Sequence, residues 1–131
     1  MPGMSALVPT APCPCGTGTS YDGCCGPLHR NERQALSAEQ LMRSRYSAYA
    51  VGALDHLFRS WHPRTRPEDV RPDDDLTWTG LDVLGVEEDG DSGTVEFRAH
   101  WTWNGQTGAL HERSRFTRRA GRWVYVEGEE S

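Results

Sequence analysis

The ten residues Thr94-Val-Glu-Phe-Arg-Ala-His-Trp-Thr-Trp103 alternate without a break, and Asn104-Gly105 follows them. Val95, Phe97, Ala99, Trp101 and Trp103 fall on one face, and Glu96, Arg98, His100 and Thr102 on the other. A period of two with β-branched and aromatic residues predicts a strand that buries one side. Asn-Gly tolerates left-handed backbone at two successive positions, the requirement of a tight hairpin. Outward from this strand, Leu76 to Val86 reads as a preceding extended segment closed by the turn-prone Asp89-Gly90-Asp91-Ser92-Gly93. On the other side, Leu110 to Arg118 and Arg122 to Glu127 flank Ala120-Gly121. Four consecutive strands joined by short turns predict an antiparallel meander.

The region before the strands has helical periodicity. Ser37 with Gln40 three residues on fits a capping box, and Leu41, Ala48 and Val51 recur at near-helical spacing before Gly52. Leu54, Leu57, Phe58 and Trp61 suggest a second helix with one apolar side, stopped at His62-Pro63, and Pro67 to Val70 could add one more helical turn. Helices followed by a meander predict an α+β fold with the helices packed on one face of a curved four-stranded antiparallel sheet.

Composition bounds the remaining possibilities. A chain of 131 residues has room for one ordinary domain plus a short module, and its twelve aromatics can fill a core. No apolar run approaches the roughly 20 residues that a membrane helix needs. Residues 1–12, with three Pro and one Gly, read as a flexible lead-in without signal-peptide character, which predicts a cytoplasmic protein. The net charge of -5 conceals a gradient: Arg30 to Arg66 carries +4 and Pro67 onward carries -8. An acidic body beside a modest basic zone argues against direct DNA binding. All fourteen basic residues are Arg, so lysine base or Schiff-base chemistry is excluded. Phosphate-loop, dinucleotide, nucleophile-elbow and His-Glu-x-x-His motifs are absent from the sequence.

Cys13-Pro-Cys15 and Cys24-Cys25, separated by eight residues, are the most specific feature. Cytosolic thiols stay reduced, and four sulfurs satisfy a tetrahedral zinc at about 2.3 Å per bond. Gly16, Gly18, Gly23 and Gly26 would let the backbone turn around the ion. A bound zinc is worth on the order of 10 to 16 kcal/mol in small modules, replacing the apolar core that this segment lacks. Cross-paired disulfides, an iron-sulfur centre, or His29 in place of one thiolate are the competing arrangements. A site with four protein ligands leaves no open position, so its role would be structural.

Cys13-Pro-Cys-Gly-Thr-Gly-Thr-Ser-Tyr-Asp-Gly-Cys-Cys-Gly26 resembles the SEC-C zinc motif found at the tail of preprotein-translocase motors. Leu41 to Tyr49, Trp61-His-Pro63, His111 to Phe116 and Gly121 to Tyr125 resemble the YchJ-like family of uncharacterised bacterial proteins. The resemblance implies zinc ligands Cys13, Cys15, Cys24 and Cys25 in a SEC-C segment at 13–29. It also implies a nuclear transport factor 2-like (cystatin-like) cone over 30–128, with a tail at 129–131. By analogy it suggests a translocation chaperone or the ribosome as partner. The intervening loop carries Thr19, Ser20 and Asp22 where the motor tails are lysine-rich, which weakens the electrostatic basis for either.

A cone has an open mouth, and polar residues converging there would mark a ligand pocket. Candidates are Arg43, Tyr46, Tyr49, His62, His100 and Glu112, with His100 and Glu112 as an acid–base pair. Arg45, Trp61, Arg98 and Ser114 are further polar or aromatic neighbours. The acidic runs Asp73-Asp74-Asp75 and Glu87 to Asp91 lack calcium-loop spacing and read as solvated turns. The expectation is a zinc-stapled adaptor that presents its knuckle to a protein partner. The alternative is a small-molecule binding protein or enzyme that uses the cone cavity. A homodimer through the outer sheet face, contacted by Trp101 or Trp103, would fit either.

Overall fold

Ser37 starts the principal helix as its sequence suggests: its Oγ accepts from the Gln40 backbone N–H at 3.0 Å, while the Gln40 side chain accepts from the Leu36 N–H at 2.6 Å. The reciprocal cap thus reaches one residue further back than the usual box. In the computed structural model, which describes residues 10–71 and 75–131, this helix α2 spans Ala38–Val51 and ends on Gly52 in left-handed conformation. It follows a single turn, α1 (Gly26–His29), and precedes α3 (Leu54–Arg59). Most of the lead-in (residues 1–9) and Asp73 and Asp74 lie outside the described residues.

The strands are β1 (Leu76–Asp89), β2 (Ser92–Trp103), β3 (Gln106–Arg119) and β4 (Arg122–Glu130), in the order β1-β2-β3-β4 and antiparallel throughout. The sheet is more extensive than the sequence pattern indicates. Asp89 pairs with Ser92 across a two-residue turn, so Glu87 and Glu88 extend the ladder instead of looping out. Irregularities in β1 between Trp78 and Gly80 and between Val83 and Gly85, and in the β3–β4 ladder at Arg115/Phe116, bend the sheet. Its concave face holds α2, where Ala38, Leu41, Met42 and Tyr46 pack against Val95, Phe97, Ala99, Phe116 and Trp123.

Two expectations need correction. In α3 only Leu57 is fully buried; Leu54 and Phe58 face outward, with the Arg66 guanidinium 3.8 Å above the Phe58 ring. Pro67 to Val70 forms a bend and no helix, because His62 already closes a turn by accepting from the Thr65 and Arg66 N–H groups at 3.0 and 2.9 Å. The segment after α3 instead docks on the sheet edge. Tyr125 N–H donates to Ser60 O at 2.7 Å and His62 N–H donates to Tyr125 O at 2.8 Å.

Gly93 sits where α2 crosses β2. A Cβ there would lie 2.8 Å from the Ala38 Cβ, and both are fixed by backbone. Gly93→Ala is expected to cost about 1 to 3 kcal/mol by overpacking, read as a lower urea midpoint. At the β3–β4 turn, Ala120 adopts φ 52, unfavourable for any residue with a Cβ. Ala120→Gly is expected to raise stability by about 1 kcal/mol, measured by thermal unfolding.

Candidate metal centre and cavity

Before α1 the chain makes a tight knuckle. Pro12 and Ser20 form an antiparallel bridge, Cys13 N–H donates to Thr19 O at 2.9 Å, and Tyr21 N–H donates to Ala11 O at 2.8 Å. Gly16 and Gly18 at the tip have φ of 87 and 85, which brings the chain back within so few residues. A 3₁₀ turn at Tyr21–Gly23 then delivers Cys24 and Cys25 to the same point.

The Sγ atoms of Cys13, Cys15, Cys24 and Cys25 all lie within 4.8 Å of one another. Cys15 Sγ is 3.6 Å from Cys24 Sγ, and Cys24 Sγ is 4.0 Å from Cys25 Sγ. The edge of a tetrahedron with bonds of about 2.3 Å is about 3.8 Å, whereas a disulfide needs about 2.05 Å. The spacing therefore matches ligands around one cation, and all four cysteines are unbridged. Hydrogen bonding from its neighbours, led by Cys13, pulls the Cys15 thiol down, while the Cys13 and Cys25 thiols are pushed up. Four sulfurs this close would repel one another as thiolates, a cost that a divalent ion removes. The Thr17 hydroxyl, 3.2 Å from Cys24 Sγ, is placed to donate to a thiolate.

His29 does not join the quartet. Its Nε2 donates to Ser44 O at 2.8 Å, so its Nδ1 accepts from the Tyr21 hydroxyl at 2.6 Å. Both ring nitrogens are thereby committed to fastening the knuckle to α2. Arg43 adds a second fastening, with Nη1 donating to Cys15 O at 2.7 Å and Nε to Glu39 at 2.9 Å.

Of the six pocket candidates, the structure brings Tyr46, Tyr49 and Glu112 together and leaves the other three apart. Arg43 serves the knuckle. His62 takes the Arg64 N–H on Nδ1 at 3.0 Å within an exposed turn. His100 points away from the interior and bonds Asp82 at 2.8 Å. The register explains why: Glu112 is opposite Phe97, an inward position, whereas His100 lies three residues further along and faces the other way. His100 and Glu112 therefore form no acid–base pair. A second outer-face pair, His111 with Glu96 at 2.6 Å, had no signal in the sequence.

What converges instead is a cavity of about 180 Å³ between α2 and the sheet. Its walls are aromatic: Tyr46, Tyr49, Trp61, Trp78, Phe97, Phe116 and Tyr125. The polar groups are Arg45, Glu112 and Ser114. Ser114 Oγ donates to Glu112 Oε2 at 2.5 Å, and the Tyr125 hydroxyl donates to the same oxygen at 3.5 Å. Burial pushes the Tyr46 and Tyr125 hydroxyls up to about 12. Arg45 is 6% exposed, and burial brings its guanidinium down to about 10, so it stays charged at neutral pH. Its Nη1 donates to Leu57 O at 3.0 Å and Ser60 Oγ at 2.7 Å, and its plane lies against the rings of Trp61 and Tyr125 at 4.8 and 4.5 Å. Among the described residues no carboxylate pairs with it.

A cysteine knuckle joined to a helix-lined, curved meander defines a nuclear transport factor 2-like α+β cone with an N-terminal four-cysteine segment compatible with metal binding. The family model for the YchJ middle nuclear transport factor 2-like domain matches residues 37–128, and the chain belongs to this YchJ-like family. A UPF0225 protein of Streptomyces coelicolor is 48% identical over 93% of this chain and 98% of its own length, and one of Deinococcus radiodurans is 46% identical over 93% and 92%. The solution structure of a SEC-C motif containing protein from Rhodopseudomonas palustris is similar with a TM-score of 0.82 and 41% identity, covering 91% of this chain and 98% of that one. A SEC-C motif containing protein from Psychrobacter arcticus shares the fold with a TM-score of 0.75 at 24% identity, over 98% and 85%. Among the described residues no helix is long and apolar enough to cross a membrane.

Proposed function

We propose that this is a cytoplasmic small-molecule binding protein whose cone cavity is the working site and whose knuckle is held by a structural zinc. The observation that carries the reading is Arg45, a charged group in an aromatic cavity without an acidic partner among the described residues. A buried charge that no carboxylate contacts directly, with Glu112 acting on it only across the cavity, is costly, and a fold that tolerates one is expected to use it. A cavity of about 180 Å³ suits a ring-sized molecule, since a cavity of roughly 150 Å³ accepts benzene. Zinc is the ion that four thiolates in a reducing compartment select.

The test is ligand-observed NMR with fragments of about 6 to 12 non-hydrogen atoms, against the wild type and Ala99→Leu, which fills the cavity. Binding to the wild type that Ala99→Leu abolishes supports the reading. Absence of binding, or equal binding to both, overturns it.

A second reading keeps the adaptor role, because the knuckle tip from Gly16 to Thr19 is exposed while fastened to α2 through Arg43 and His29. A rigid, neutral turn of this kind suits a protein partner more than a phosphate backbone. Deleting the knuckle from a bait protein should then remove a captured partner, and partners retained equally by both forms would exclude this reading.

A further inference from the structure

One fully buried donor at the cavity, Trp61 Nε1, has no acceptor among the described residues, and part of the Arg45 guanidinium is unengaged as well. On Arg45, Nη1 is occupied by Leu57 O and Ser60 Oγ, while no protein partner faces Nε or Nη2 among the described residues. That free edge is the side of a guanidinium that grips a carboxylate with two parallel bonds. Trp61, a cavity wall in contact with the same guanidinium, has a buried Nε1 that is likewise unpartnered among the described residues. Both groups call for an acceptor, and the guanidinium calls for a negative one.

The opposite end of the cavity has the reverse character. Glu112 receives Ser114 and Tyr125 on Oε2, and Oε1 takes no hydrogen bond among the described residues. Tyr125 separates the two poles, with its ring against Arg45 and its hydroxyl toward Glu112. The cavity that both poles line has room for about one ring.

From the free edge of Arg45, the open oxygen of Glu112 and the aromatic walls between them, we infer that the cavity binds a ring-sized organic acid: a single carboxylate on a flat body, with a hydrogen-bond donor at the far end. The carboxylate docks on Arg45 Nε and Nη2, the ring lies among the aromatic walls, and the donor meets Glu112 Oε1. An inorganic anion would satisfy Arg45 but leave the walls unfilled, and a neutral ring would leave Arg45 unpaired. This inference rests on the cavity being the working site, and its test separates the two claims.

The experiment is calorimetric and NMR titration of the zinc-loaded full chain with 4-aminobenzoate, benzoate, benzamide and phenol. The expected order is 4-aminobenzoate tightest, benzoate about tenfold weaker, and benzamide and phenol weaker again by about tenfold or more. Glu112→Gln should bring 4-aminobenzoate close to benzoate while leaving benzoate itself within about threefold. Arg45→Lys, which keeps the charge but loses the fork, should weaken both acids by about tenfold or more. Because Arg45 also supports the end of α3, its variant is read only with an unchanged NMR spectrum of the β3–β4 amides, and the Glu112→Gln and benzamide comparisons stand without it. Benzamide or phenol binding as well as the acids overturns the acid assignment while leaving the cavity reading intact. If none of the four binds but other ring-sized fragments do, the acid assignment is again wrong, and if no fragment binds at all, both claims fall.

Discussion

Cys25→Ser is expected to reduce bound zinc from one per chain to less than about a tenth and to lower the melting temperature by on the order of 10 °C. Cys25 is 2% exposed, so its sulfur has no solvent to replace a lost metal bond. Few apolar contacts hold the knuckle beyond the cysteines themselves, with Tyr21 packed against the cluster. Metal binding in such modules supplies most of the folding free energy. The damage reaches the cone because the Arg43 bond to Cys15 O and the His29 bond to Ser44 O tie the two parts together. Native mass spectrometry with differential scanning calorimetry checks both effects. Full zinc content in the variant would contradict the ligand assignment.

Acid should destabilise the protein earlier than its carboxylates alone would require. His56 is buried beneath α1 and α2, with Nε2 2.8 Å from Ser44 Oγ and its ring 5.1 Å from that of His29. Burial, followed by the positive potential of His29, Arg45 and Arg59, holds it down to about 3, against 6.5 in the unfolded chain. Between those values the unfolded state binds a proton that the native state refuses. Stability is therefore whole above about pH 6.5 and falls as pH decreases, by about 1.4 kcal/mol per unit for this group and about 2 kcal/mol by pH 5. His29, lowered chiefly by burial, acts in the same direction. Urea unfolding at about pH 7.5 and about pH 5 should show this loss, and His56→Leu should flatten the slope by about one proton. An identical slope in the variant would show that His56 titrates normally in the native state.

The sequence was most informative where a single local rule sufficed. The alternation identified the buried face of β2 at Val95, Phe97 and Ala99, whereas Trp101 is half-buried and Trp103 is exposed at the strand's end, and Asn104-Gly105 supplied the turn, with φ of 51 and 81. The cysteine spacing was enough to indicate a quartet, since eight residues can close one loop around an ion. Pairings between distant elements were less legible. Whether Glu112 faces His100 or Phe97 depends on the β2–β3 register, and moving one residue would reverse the answer. Arg45 offered no periodic signal, because its role depends on Trp61 and Tyr125 meeting it from α3's exit and from β4. Arg43, two positions earlier, has the same chemistry and serves the knuckle instead. Helix α3 misled through composition: Leu54 and Phe58 match an apolar stripe, but only Leu57 finds the core.

X-ray absorption at the zinc edge of the purified protein is the decisive measurement for the cysteine quartet. One zinc surrounded by four sulfur neighbours at about 2.3 Å is expected, with no nitrogen or oxygen bound to it. A coordination sphere containing imidazole nitrogen or water, or protein that is fully folded and free of metal with its sulfurs joined in pairs, would contradict it.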